Sequence, residues 1–119
     1  MDIKAEKSKA FAVRIINLYK YLTGEKHEYV LSKQLLRSGT SIGANIRESM
    51  RAQSKPDFQS KCNIALKEAE ETCYWLELLH ETDYLADAEF DSVYSQACEL
   101  TKILSSVVLS LNQQYDLGK

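Results

Sequence analysis

The sequence predicts an all-α fold, an antiparallel up-down-up-down four-helix bundle. Three observations predict it. Apolar residues recur at steps of three and four through four separate stretches, the period of an amphipathic helix. The 119 residues include one proline and four glycines, too few for a turn-rich β architecture. Only short polar connections separate the four stretches, so neighbouring helices must reverse direction. A chain of this length fits one domain, residues 1–119.

Residues 1–7 are polar and read as frayed, with Ser8 as the cap of a first helix over about 8–23. Phe11, Ile15, Leu18 and Leu22 form its buried stripe, and Gly24 is the natural C′ residue. A second helix spans about 29–53. Leu31, Leu35, Ile42, Ile46 and Met50 carry its apolar spacing. Gly39 and Gly43 each cost a helix about 1 kcal/mol relative to Ala, so another backbone must come close there. Ser54, Asp57 and Pro56 open a third helix, about 56–82. Phe58, Cys62, Ala65, Ala69, Cys73, Leu76 and His80 share a face of it. Asp83, Tyr84 and Leu85 form a turn, and Asp87 caps a fourth helix, about 87–114. Val93, Ala97, Leu100, Leu104, Val107 and Leu111 make a coiled-coil-like seam. The tail from Tyr115 to Lys119 reads as loose.

Net charge is −2, but residues 1–61 carry 12 Lys and Arg against 6 Asp and Glu, and residues 62–119 carry 3 against 11. Packing of a basic half beside an acidic half accounts for this. So does a basic face for nucleic acid, or head-to-tail contact between subunits. Cys62, Cys73 and Cys98 show no CxxC pair or zinc spacing, which points to free thiols in a reducing compartment. No apolar run approaches the ~20 residues of a membrane span, and the first residues lack a signal-peptide core. The expectation is a cytoplasmic protein without a membrane partner.

Four groups of side chains are candidates for function. Ile64, Tyr74, Trp75 and Leu78 lie off the core face of the third helix, where one bundle cannot bury them, and read as an oligomer interface. Ser38, Ser41, Asn45 and Glu48 run beside the core stripe of the second helix, with Glu68 on the matching shoulder of the third. They read as a polar, hydrogen-bonded helix seam. Arg47, Arg51 and Lys55, at steps of four, make a basic ridge that could meet successive phosphates. Glu77 and His80 form a Glu-x-x-His. A di-metal bundle needs a second such motif, and His27 does not supply one. No GxSxG, phosphate loop or GxGxxG occurs. The expectation is no enzyme, no metal and no cofactor. The alternative is a ligand- or metal-binding bundle with its site between helices, built on Glu48, Glu68 or Glu77 and His80.

Ser41-Ile42-x-x-Asn45-Ile46-x-Glu48 and Glu68-x-x-Glu71-Thr72-x-Tyr74-Trp75-Leu76 resemble the four-helix-bundle family encoded in 23S ribosomal RNA intervening sequences, the S23 ribosomal protein family. The resemblance covers roughly Ala10 to Leu111. It implies a small antiparallel bundle assembled as a ring, typically a homopentamer, without established enzymatic activity. It also implies RNA or a nucleic-acid-processing protein as partner, since a similar fold serves as accessory to a reverse transcriptase. This chain departs from those basic relatives in its net −2. It also has Ser49-Met50 where the family usually has a glycine, which predicts a longer second helix.

Overall fold

The structure, a computed structural model, describes residues 2–117. Four helices follow one another: α1 (Ile3–Gly24), α2 (Leu31–Ser49), α3 (Lys55–Glu81) and α4 (Asp87–Leu117). The bundle measures 52 × 25 × 22 Å.

α1 starts earlier than the sequence reading placed it. The Asp2 carboxylate accepts hydrogen bonds from the Lys4 and Ala5 amides at 2.9 and 3.3 Å, satisfying donors that a helix start leaves orphaned. Ser8 is no cap. It is fully buried, and its hydroxyl donates to the Ala5 carbonyl at 3.2 Å. The helix runs through Gly24. The left-handed residue of the connection is His27, at φ 54°.

α2 begins at Leu31 without a side-chain cap on the preceding Val30. Glu28 does that work from two residues further back. Its carboxylate accepts from the amides of Val30, Leu31 and Ser32 at 3.1, 2.9 and 2.6 Å. Burial would raise its pKa, but the bonds from Leu31, Ser32 and Val30 outweigh this and hold it below the ordinary value.

At its other end α2 stops at Ser49, shorter than predicted. The Ser49 hydroxyl turns back to the Ile46 carbonyl at 2.6 Å. The Arg51 and Ala52 amides then bond Glu48 and Ser49, three residues back, the tightening typical of a helix end. Met50 therefore leaves the apolar stripe and is 56% exposed, while Ser49 is buried.

Ser54 caps α3, accepting from the Asp57 amide at 3.2 Å. Asp83, at φ 68°, turns the chain after it. Asp87 is the first residue of α4 and not its cap; the Phe90 amide bonds the Ala86 carbonyl instead. The seam of α4 runs Val93, Ala97, Leu100 and Leu104, then Val108 where Val107 was expected. The 3.6-residue period drifts off a strict seven-residue repeat. Val107 and Leu111 are half-buried. Tyr115 to Leu117 continue α4; Gly118 and Lys119 lie outside the described residues.

Neighbouring helices run antiparallel, as their paired residues show. Gly39 of α2 meets Ile15 of α1, and Gly43 meets Ser8. Ser38 of α2 meets Thr72 of α3, and Glu48 meets Lys61. Glu77 of α3 meets Tyr94 of α4, and Gln59 meets Asn112. Lys7 and Arg14 of α1 reach Glu99 and Glu89 of α4. The α1–α4 backbones approach each other less than the other three neighbouring pairs. One core of Leu, Ile, Phe, Val and Ala runs between all four helices. Among the described residues, no helix is long and apolar enough to cross a membrane.

A candidate interaction surface on two faces

Gly39 and Gly43 set one face. A Cβ at Gly39 would lie 2.8 Å from Cγ2 of Ile15, and one at Gly43 would lie 3.4 Å from the backbone oxygen of Ser8. The close approach read from the two glycines is therefore a contact of α2 with α1. It leaves a shallow groove of about 440 Å³ outside the core. Ala5, Ala12, Gly43 and Ala44 form its small-residue floor, with Lys9, Arg47 and Glu48 around it. Val13 and Ile16 continue this face along α1, 53% and 38% exposed.

The second face lies on α3. Tyr74 is 53% exposed and Ile64 38% exposed, while Trp75 and Leu78 are half-buried. The Tyr74 and Trp75 rings lie 5.2 Å apart, and the Trp75 indole N–H donates to the Glu71 carboxylate at 3.2 Å. Trp75 thus rests one side on the core and shows the other to solvent. Glu70 and Glu71 are exposed beside it. Glu68, on the same outer side, is half-buried; burial first, then the nearby Glu71 charge, raises its pKa.

The polar seam is narrower than the sequence indicated. Only Ser38 is buried there, and it bonds across helices. Its hydroxyl lies 2.9 Å from that of Thr72, which donates to the Glu68 carbonyl at 2.7 Å. Ser41 and Asn45 instead bond their own helix, to the Arg37 and Ser41 carbonyls at 2.6 and 2.9 Å. Glu48 points to solvent, 3.7 Å from Lys61, with its side chain 59% exposed.

The basic ridge is not one helical row. Arg47 stands on α2, Arg51 in the following turn and Lys55 at the start of α3. All three are exposed around that turn. Among the described residues, none of the three pairs with a carboxylate.

Glu77 and His80 do not converge. Glu77 accepts from the Tyr94 hydroxyl at 2.9 Å, a bond that, with burial, raises the tyrosine's pKa. His80 lies 2.7 Å from Asp87 and stacks on Phe90 at 4.1 Å. Among the described residues, no group of three or more His, Cys, Asp and Glu is placed to hold a metal ion.

A profile of the 23S rRNA-intervening sequence protein family matches residues 3–106. The chain belongs to this family. A crystal structure of a protein with unknown function from the S23 ribosomal protein family of Bacteroides thetaiotaomicron VPI-5482 superposes with a TM-score of 0.88. It is 56% identical and the match covers 89% of this chain and 98% of that one. Comparison with curated proteins gives no match. Both faces of this 23S rRNA-intervening sequence protein, the α1–α2 groove and the α3 ridge, lie inside the matched span, while the end of α4 lies beyond it.

Sequence reasoning missed three parts of these surfaces. Thr72 was the unrecognised partner of Ser38. Ala5 and Ala12 are half of the groove's small-residue floor, but alanine carries no pattern of its own. Val13 and Ile16 were legible as apolar residues off the Phe11–Leu22 stripe.

Proposed function

We propose that this 23S rRNA-intervening sequence protein is a non-catalytic scaffold that assembles with copies of itself. One observation carries the reading: the bundle leaves two apolar faces uncovered, a groove with Lys9 and Arg47 beside it and a ridge with Glu70 and Glu71 beside it. The α1–α2 groove is concave, floored by small residues and bordered by Lys9, Arg47 and Glu48. The ridge of Ile64, Tyr74, Trp75 and Leu78 is aromatic and flanked by Glu70 and Glu71. A ridge from one copy fits the groove of the next in shape class, with Glu70 and Glu71 able to meet Lys9 and Arg47. Such a contact joins different patches, so it generates a ring when the rotation closes. Five copies is the number the family resemblance implies.

Light scattering tests this. The wild type should exceed the mass of one chain, and Trp75→Ala should shift it towards monomer. Lys9→Glu with Arg47→Glu should do the same from the other face. A monomeric wild type would sink the reading.

The cationic turn gives a second reading: RNA bound to the scaffold through Arg47, Arg51 and Lys55. All three are exposed, and none is neutralised by a carboxylate among the described residues. A ring would present this cluster repeatedly. Binding of a structured RNA should weaken steeply as salt rises, because contacts to phosphates release counterions. Arg51→Ala with Lys55→Ala should flatten that slope without altering assembly. No binding at low salt would remove RNA from the proposal and direct attention to protein partners.

A further inference from the structure

Cys73 and Cys98 share a rung of the α3–α4 seam. The Tyr94 hydroxyl donates to Glu77 at 2.9 Å and fixes the register of the two helices. One turn back along α3 from Glu77 is Cys73, and one turn on along α4 from Tyr94 is Cys98. In an antiparallel pair these two residues face each other. A second contact agrees: Cys73 Sγ lies 3.9 Å from Thr101 Oγ1, less than one turn past Cys98. Cys98 is near enough to be among the groups that raise the Cys73 pKa. Ala69 and Ala97, both fully buried beside them, let the helices come close.

Both thiols are half-buried, open to a small oxidant. Cys62 is different. It is fully buried, with Ser49 of α2 nearby, and it lies three turns of α3 away from Cys73.

We propose that Cys73 and Cys98 are a redox pair that hydrogen peroxide closes into a disulfide, clamping α3 to α4. The Cys98 thiolate attacks one peroxide oxygen, the O–O bond breaks, and hydroxide leaves, taking up a proton as water. Cys98 is then a sulfenic acid. The Cys73 thiol loses its proton and attacks the Cys98 sulfur, and the S–O bond breaks to release the second water. Two thiols and one peroxide give one disulfide and two waters; sulfur is oxidised and peroxide oxygen reduced. The order follows from the surroundings. Burial above all pushes the Cys73 thiol up to about 11, so it is a poor first attacker at neutral pH. A facing sulfenic acid turns it into the resolving thiol. Because α3 carries Trp75 and Tyr74, the clamp also fixes the helix that bears the aromatic ridge.

The test treats the native full chain with hydrogen peroxide and reads intact mass, non-reducing peptide maps and melting. The chain should lose the mass of two hydrogens and two of its three free thiols, with peptides of Cys73 and Cys98 linked until dithiothreitol is added. Cys62→Ser should give the same bridge, and Cys98→Ser none. The bridged chain should melt higher by roughly 5–10 °C, since the bridge restricts the unfolded chain. Oxygen adducts without loss of hydrogen would overturn the proposal. So would a bridge through Cys62, or a bridged chain that melts no higher than the reduced one.

Discussion

Replacing Gly39 by Ala puts two opposing effects on one atom. A new Cβ would sit 2.8 and 2.9 Å from Cγ2 and Cγ1 of Ile15, and 3.2 Å from its Cβ. Ile15 is fully buried and β-branched, so it cannot swing away without leaving its preferred rotamer. Overpacking of this kind costs about 1–3 kcal/mol. The exchange also removes the flexibility penalty of a helical glycine, worth about 1 kcal/mol in the other direction. The net is a destabilisation of roughly 0–2 kcal/mol. Gly43→Ala is the control. Its nearest neighbour is the Ser8 hydroxyl at 3.3 Å, which can rotate, and the Ser8 backbone oxygen is at 3.4 Å. Propensity should dominate there, stabilising by about 0.5–1 kcal/mol. The two variants should therefore differ by roughly 0.5–3 kcal/mol, which is about 2–12 °C in melting temperature for a chain of this size. Thermal and urea unfolding followed by circular dichroism measure it. In an Ile15→Ala background the two γ-carbons are gone, and Gly39→Ala should become less costly. A Gly39→Ala variant as stable as Gly43→Ala would refute the close-packing account of α1 and α2.

Three further outcomes follow from the same geometry. Thr72→Val should cost about 1–2 kcal/mol by chemical denaturation, because Ser38 loses its partner 2.9 Å away. Adding Ser38→Ala should recover most of that loss, since no buried hydroxyl is then left unmatched. Glu28 has a folded pKa below its ordinary 4.5. Its contribution is therefore full above that value and is lost as pH falls through the folded pKa. Glu28→Gln should flatten the acid limb of the stability profile and lower stability at neutral pH by about 1 kcal/mol. Lys61→Ala should change stability by no more than about 0.5 kcal/mol, because its 3.7 Å pair with Glu48 is exposed.

Helix number, order and most of the core were legible because the apolar spacing repeats without a break in each segment. Where the sequence misled, a local signal competed with a periodic one. Ser8 looked like a cap, yet it stands three residues before Phe11 and extends the same stripe. Met50 fits the spacing of Ile42 and Ile46, but the polar Ser49 takes the buried place by bonding its own helix. Ser41 and Asn45 have the chemistry of a seam. A side chain that short reaches a carbonyl four residues back more readily than a neighbouring helix. Steps of four between Arg47, Arg51 and Lys55 describe a row only while a helix continues, and α2 stops before Arg51. The second apolar face of α3 was visible because Trp75 and Ile64 break the phase of the Cys62–Leu76 stripe. Its counterpart groove was not, since it appears only when two helices are side by side.

The uneven closeness of the four seams has a kinetic consequence. The three tight seams join helices that are consecutive in the chain, and only the wider α1–α4 seam joins its two ends. Most pairing therefore closes short loops, and such topologies fold fast. The α1–α4 seam must wait for the others. Its surface part is held by Lys7 with Glu99 and by Arg14 with Glu89, interactions that salt weakens. If those pairs form after the folding barrier, salt leaves the folding rate alone and speeds unfolding. In that case the edge between the first helix and the last is where salt loosens this bundle.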